Sequence, residues 1–131
     1  MANKASSVIQ STKFKDDGKF IAILKGGRLT RSDISALIKE AQVKNRIVDL
    51  NGRDLHNLNL SNLSLGRADL SNANMSNSDL SNTILFNANL HSANFSNANL
   101  SHINFSYANL SGAKLRGANL LYAILLKTTM P

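Results

Sequence analysis

The chain has 131 residues, enough for one domain and too few for two of ordinary size. It carries no cysteine, which excludes a disulfide framework and cysteine-based zinc sites, and its formal net charge is +7. With no Trp, one Pro and 5% aromatic residues, a core of interlocking large side chains would be thin, so regular repetition has to supply the order.

Residues 1–18 read as a flexible basic tail. The opening MANKASSVIQSTKFKDDGK lacks the apolar stretch of a secretory signal. No apolar run approaches the roughly 20 residues of a transmembrane helix. The expected location is the cytoplasm, or a host cell if the chain is a translocated bacterial effector without a cleavable signal.

Residues 19–46 read as an N-terminal cap. Phe20 to Leu24 is a short apolar run followed by Lys25-Gly26-Gly27-Arg28, a turn signal, which predicts a strand or hairpin. Thr30 or Ser32 then caps a helix over about 33–44, with Ile34, Leu37, Ile38 and Ala41 on one face and Glu40 paired with Lys44 opposite. These elements are expected to cover the open first turn of whatever follows, because the end of a stacked β structure presents bare backbone groups.

Charge is unevenly placed. Residues 1–47 hold ten Lys/Arg against four Asp/Glu, a net +6, whereas residues 48–131 hold five against four, a net +1. Lys13, Lys15, Lys19, Lys25, Arg28, Arg31, Lys39, Lys44 and Arg46 therefore form a candidate basic surface for nucleic acid or an acidic partner. Aromatic interleaving is poor, with only Phe14 and Phe20, and a solvated face is the commoner explanation for such a run.

From Leu50 every fifth residue is apolar, sixteen times in succession: Leu50, Leu55, Leu60, Leu65 and Leu70, then Met75, Leu80, Leu85, Leu90 and Phe95, and on through Leu100, Phe105, Leu110, Leu115 and Leu120 to Leu125. Two positions earlier the residue is usually small, as at Ala68, Ala73, Ser78 and Ala88. The one between is mostly Asn or Asp, and the two that follow are mostly Ser then Asn. A period of five fits neither a helix nor a flat strand. It fits a coil that turns a corner every five residues, with one large and one small side chain inward and three polar ones outward. On that assignment Phe95→Ala is expected to be costly and Asn97→Ala to stay within about 0.5 kcal/mol.

The pattern resembles the pentapeptide-repeat family, with consensus A-(D/N)-L-x-x; SNANL, LSGAKL and RGANL match it as they stand. The resemblance implies an all-β solenoid over residues 47–127, a right-handed quadrilateral parallel β-helix of about four coils. Residues 128–131 would form a C-terminal tail. Asn and Ser columns are expected to add side-chain ladders between coils.

No nucleophile–base spacing, glycine-rich phosphate loop or paired carboxylate is found, so no catalytic, metal or cofactor residues are expected and the chain reads as no enzyme. His56, His91 and His102 fall at variable outward positions on different sides of the coil. The informative departure is apolar. Ile84, Phe86, Tyr107, Ile124 and Leu126 stand where the repeat asks for Asn and Ser on one side of the coil, with Leu121 and Tyr122 around the last corner. Exposed apolar patches mark interfaces, and a two-fold homodimer through the C-terminal coil would cover both the patch and the end of the rod.

The resemblance also implies a function to weigh: members bind bacterial DNA gyrase and protect it from quinolones by imitating DNA. Such mimicry needs rows of outward carboxylates, yet residues 71–113 hold one charged side chain, Asp79. The sequence therefore favours a protein-binding scaffold with an unidentified protein partner, ahead of a gyrase or topoisomerase modulator and of nucleic-acid binding through the basic segment.

Overall fold

The computed structural model describes residues 9–15, 17–24 and 27–131. The five-residue period governs burial: every fifth side chain from Leu50 to Leu110 is at most 2% exposed. The small residues two positions earlier, from Ala68 to Ala113, line the same interior. Parallel bridges join residues twenty apart, from Asp49–Asp69 to Asn109–Thr129, so side chains separated by twenty positions stack in columns. Each bridge is doubled by backbone bonds, as where Leu50 N donates to Asp69 O (2.7 Å) and Asp69 N donates to Val48 O (2.9 Å).

The polar positions do more than face solvent. At each corner the second residue after the apolar one lies in the left-handed region: Asn72, Asn77 and Asn97 have φ of 61°, 58° and 59°. Asn adopts that conformation more readily than other side chains, and Gly takes it freely. The carboxamide or carboxylate just before the apolar residue closes the corner. Its Oδ1 accepts from the N–H two residues on, as from Ser96 N to Asn94 (3.0 Å) and Ser106 N to Asn104 (2.9 Å). Ser hydroxyls often reinforce it, as from Ser71 Oγ to Asp69 (2.6 Å) and Ser96 Oγ to Asn94 (2.7 Å). The expected ladders are present as well: Asn94 Nδ2 donates to Asn74 Oδ1 (3.3 Å) and Asn99 Nδ2 to Asp79 Oδ1 (3.3 Å).

The non-repeating segment forms strands β1 (Ile9–Phe14) and β2 (Lys19–Leu24), helix α1 (Arg31–Val43) and strand β3 (Ile47–Val48). The sheet order is β1-β2-β3, with β1 antiparallel and β3 parallel to β2. Asp49 N donates to Phe20 O (3.0 Å), so the sheet runs straight into the first coil.

Three expectations are corrected here. The tail reading of residues 1–18 fails over Ile9–Phe14, which is a strand; residues 1–8 lie outside the described residues. The hairpin joins β1 to β2 before the apolar run, with its turn around Asp17-Gly18, where Gly18 has φ 83°; Lys25 and Gly26 of the expected turn signal lie outside the described residues. Thr129 bridges to Asn109 and Thr128 Oγ donates to Phe105 O (2.8 Å), so the ladder extends into residues 128–131.

Helix α1 begins at Arg31 because Thr30 and Asp33 form a reciprocal capping box: Asp33 N donates to Thr30 Oγ1 (3.2 Å) and Thr30 N to Asp33 Oδ2 (2.9 Å). Its buried face is Ile34, Leu37, Ile38 and Ala41, as the spacing predicted. Among the described residues no helix is long and apolar enough to cross a membrane.

Candidate functional site

The columns place the apolar departures together. Ile84, Phe86 and Tyr107 are 44–45% exposed, and Ile124 and Leu126 continue their columns at 50% and 57%. Phe86 and Tyr107 pack edge to face with centroids 5.5 Å apart, and Lys127 Nζ lies 5.7 Å from the Tyr107 centroid. Around the corner Leu121 and Tyr122 are exposed, and Tyr122 stacks on His102 at 5.0 Å. Tyr107 and Tyr122 both have φ 61°, so each ring stands at a left-handed corner where the repeat mostly places Asn or Gly. An L-residue with a large side chain is strained there.

This face runs to the end of the rod. Leu115 and Leu120 are only half-buried and Leu125 is 40% exposed, although they belong to the column that is sealed elsewhere. Among the described residues no further coil bridges to that one.

Most of the described candidate basic residues are exposed, and several of them also contact the rest of the chain. Lys15 Nζ pairs with Asp49 (2.8 Å) and Lys19 Nζ with Asp69 (2.6 Å). Arg28 donates to the carbonyls of Asp54 and His56, and Arg31 to those of Asn59 and Ser61 (both 2.9 Å). Lys44 pairs with Glu40 (3.1 Å), and the Arg46 guanidinium lies 4.7 Å from the Phe14 centroid. Lys13 and Lys39 are exposed, and Lys25 lies outside the described residues.

Two of these contacts shift their groups. The hydrogen bond to Asp49 raises the Lys15 pKa, and the bond to Asp69 raises that of Lys19. At Asp69 burial pushes upward, but bonds from Lys19 and Ser71 outweigh it and leave the carboxyl below its ordinary value. Much of the positive charge thus fastens the N-terminal segment to the first coil.

The histidines stay apart. His56 Nδ1 lies 2.5 Å from Asp54 Oδ1, and that bond lowers the Asp54 pKa; His91 meets Ser111 Oγ at 2.9 Å. Among the described residues no group of three or more His, Cys, Asp or Glu is placed to hold a metal.

Sequence reasoning missed a groove between α1 and the solenoid, whose signal was the dipeptide Gly66-Arg67 standing where the repeat places Ser-Asn.

A family profile for pentapeptide repeats matches in eight copies over residues 49–85 and 83–121. No curated protein matches the chain at a significant level. Among solved structures, the pentapeptide repeat protein Rfr23 of the cyanobacterium Cyanothece 51142 is 30% identical with a TM-score of 0.62, over 64% of this chain and 58% of its own. A pentapeptide repeat protein from the Arabidopsis thaliana thylakoid lumen is 27% identical with a TM-score of 0.64, over 81% of this chain and 66% of its own. The match thus spans less than two thirds of either relative's length. With the corner geometry and the repeat profile in agreement, the chain belongs to the pentapeptide-repeat family, whose members fold as right-handed quadrilateral β-helices.

Proposed function

We propose that this chain is a non-enzymatic protein-binding module: a rod of about four coils, covered at one end by the hairpin and α1. Its contact surface is the side bearing Ile84, Phe86, Tyr107, Leu121, Tyr122, Ile124 and Leu126. One observation carries the reading. Two tyrosines occupy left-handed corners that favour Asn or Gly, and their rings stand in an apolar strip at the surface. The corner conformation works against that choice, and even with Phe86 and His102 packed on them the two rings stay exposed, as a binding surface requires.

Self-association belongs to the same reading. The strip is continuous with the open C-terminal coil, and a two-fold contact there buries Leu125 and pairs the free backbone groups of the last coil. A DNA-like surface is disfavoured by the scarcity of outward carboxylates between residues 71 and 113. Nucleic-acid binding through the N-terminal segment is disfavoured because Lys15 and Lys19 are already paired with carboxylates.

Sedimentation velocity is expected to show a dimer at tens of micromolar that Leu125→Asp converts to monomer with unchanged circular dichroism. A wild-type monomer at hundreds of micromolar removes self-association. Protein capture by the intact chain, compared with a Phe86→Ser/Tyr107→Ser variant, tests the strip. Identical captured sets would sink it.

A further inference from the structure

We infer that the groove between α1 and the solenoid takes a peptide segment of a partner protein in which an apolar side chain stands beside carboxylates. This deepens the protein-binding reading and rests on it. The groove encloses about 390 Å³, and its apolar wall is built by Ile38, Ala41 and Val48 on one side and Ile84 and Phe86 on the other. Phe86 also belongs to the exposed strip, so a segment lying on the strip can enter the groove without leaving the surface.

Its chemistry is set by three of its lining residues, Gly66, Arg67 and Arg46. Gly66 stands where the repeat places Ser, yet a Cβ there would meet its nearest neighbour, the Phe86 carbonyl oxygen, at an ordinary 3.6 Å. Packing tolerates a side chain at this place, and its absence keeps the groove open beside Phe86. Arg67 occupies a left-handed corner with φ 66°, where Asn would be less strained. It makes no ion pair or side-chain hydrogen bond with any described residue, unlike the cations that fix the N-terminal segment.

Arg46 also lines the groove, and its guanidinium is stacked on Phe14. Stacking holds the plane of a guanidinium while leaving its N–H edges free to donate. Among the described residues no carboxylate answers either arginine. Two guanidinium groups beside an apolar wall fit carboxylates next to an apolar anchor, since the planar N–H fork matches a carboxylate and apolar anchors supply the binding energy.

The test selects short peptides from a displayed random library on the full-length chain. The selected peptides, fluorescently labelled, are then measured by anisotropy against wild type, Phe86→Ser and Arg67→Asn. Enriched sequences are expected to carry Asp or Glu adjacent to Leu, Ile or Phe. Arg67→Asn, which restores the corner residue of the repeat, should weaken them about tenfold with no loss of Tm, and added salt should weaken them further.

Selected peptides without acidic residues, or equal affinity for wild type and Arg67→Asn, overturn the inference. If those peptides still depend on Phe86, the protein-binding reading stands while this inference falls. No enrichment at all removes both. A labelled single-stranded oligonucleotide that binds the groove and competes with the peptides assigns it to nucleic acid instead, and the inference falls.

Discussion

The two ends of the rod use the same repeat and reach opposite states. In the first coil Leu50, Leu55, Leu60 and Leu65 are at most 2% exposed; in the last, Leu115 and Leu120 are half-buried and Leu125 is 40% exposed. The side chains and their phase are the same. What differs is the neighbour. The first coil is met by the second coil on one side and by β2, β3 and α1 on the other, with Lys15, Lys19, Arg28 and Arg31 reaching across to it. Burial in a solenoid is therefore conferred by stacking, not by a residue's place in its own repeat.

The largest effect expected lies between the ends. Phe95 is fully buried and packs edge to face on Phe105 at 5.8 Å, so Phe95→Ala should cost about 3–5 kcal/mol in urea melts. The ends themselves can then be set against each other. Leu55→Ala should cost about 2–5 kcal/mol, and Leu125→Ala, already 40% exposed, about 1 or less in dilute solution. If Leu125→Ala matches Leu55→Ala only at high protein concentration, a second copy covers the open end. Equal costs at every concentration would break the contrast.

The covered end should also come loose first in acid. Asp69 has a lowered folded pKa, so its stabilising pair with Lys19 is complete above the ordinary Asp value of about 3.9 and is lost as pH falls through the lower folded value. Lys19 has a raised pKa, so its contribution is complete below the ordinary Lys value of about 10.4 and is lost as pH rises through the folded one. Hydrogen exchange should show β1 and β2 losing protection at either extreme while amides of residues 80–110 keep theirs. Simultaneous loss in both regions would mean that these ion pairs do not hold the segment.

The rod was legible because its signal is repeated at each coil, and one phase of apolar residues names the interior from Leu50 onward. The N-terminal segment was legible only where it is locally periodic. Helix α1 shows an apolar face and a cap, whereas IQSTKF in β1 has no strong alternation and sits in a basic stretch that reads as a tail. Charge misled for a related reason. The sequence shows ten cations in residues 1–47 but not that Lys15 and Lys19 meet carboxylates 34 and 50 positions downstream. The apolar strip was visible as departures from the repeat. The groove was marked only by Gly66-Arg67, since its second wall comes from where α1 lies, and no pattern in the chain gives that placement.

The smallest effects decide whether the strip carries a cost. Read from the sequence, Asn97 was an outward filler whose loss would stay within about 0.5 kcal/mol. Its φ of 59° makes it a corner residue, so Asn97→Ala should cost about 1 kcal/mol and Asn97→Gly close to nothing. Arg67 has the same conformation and no side-chain partner among the described residues, so Arg67→Asn should have the opposite sign and stabilise by up to about 1 kcal/mol. Thermal melts of the three variants measure the corner preference directly. If Asn97→Ala and Arg67→Asn both leave stability unchanged, the corners impose no strain, and Tyr107 and Tyr122 lose their standing as residues kept against the preference of the fold.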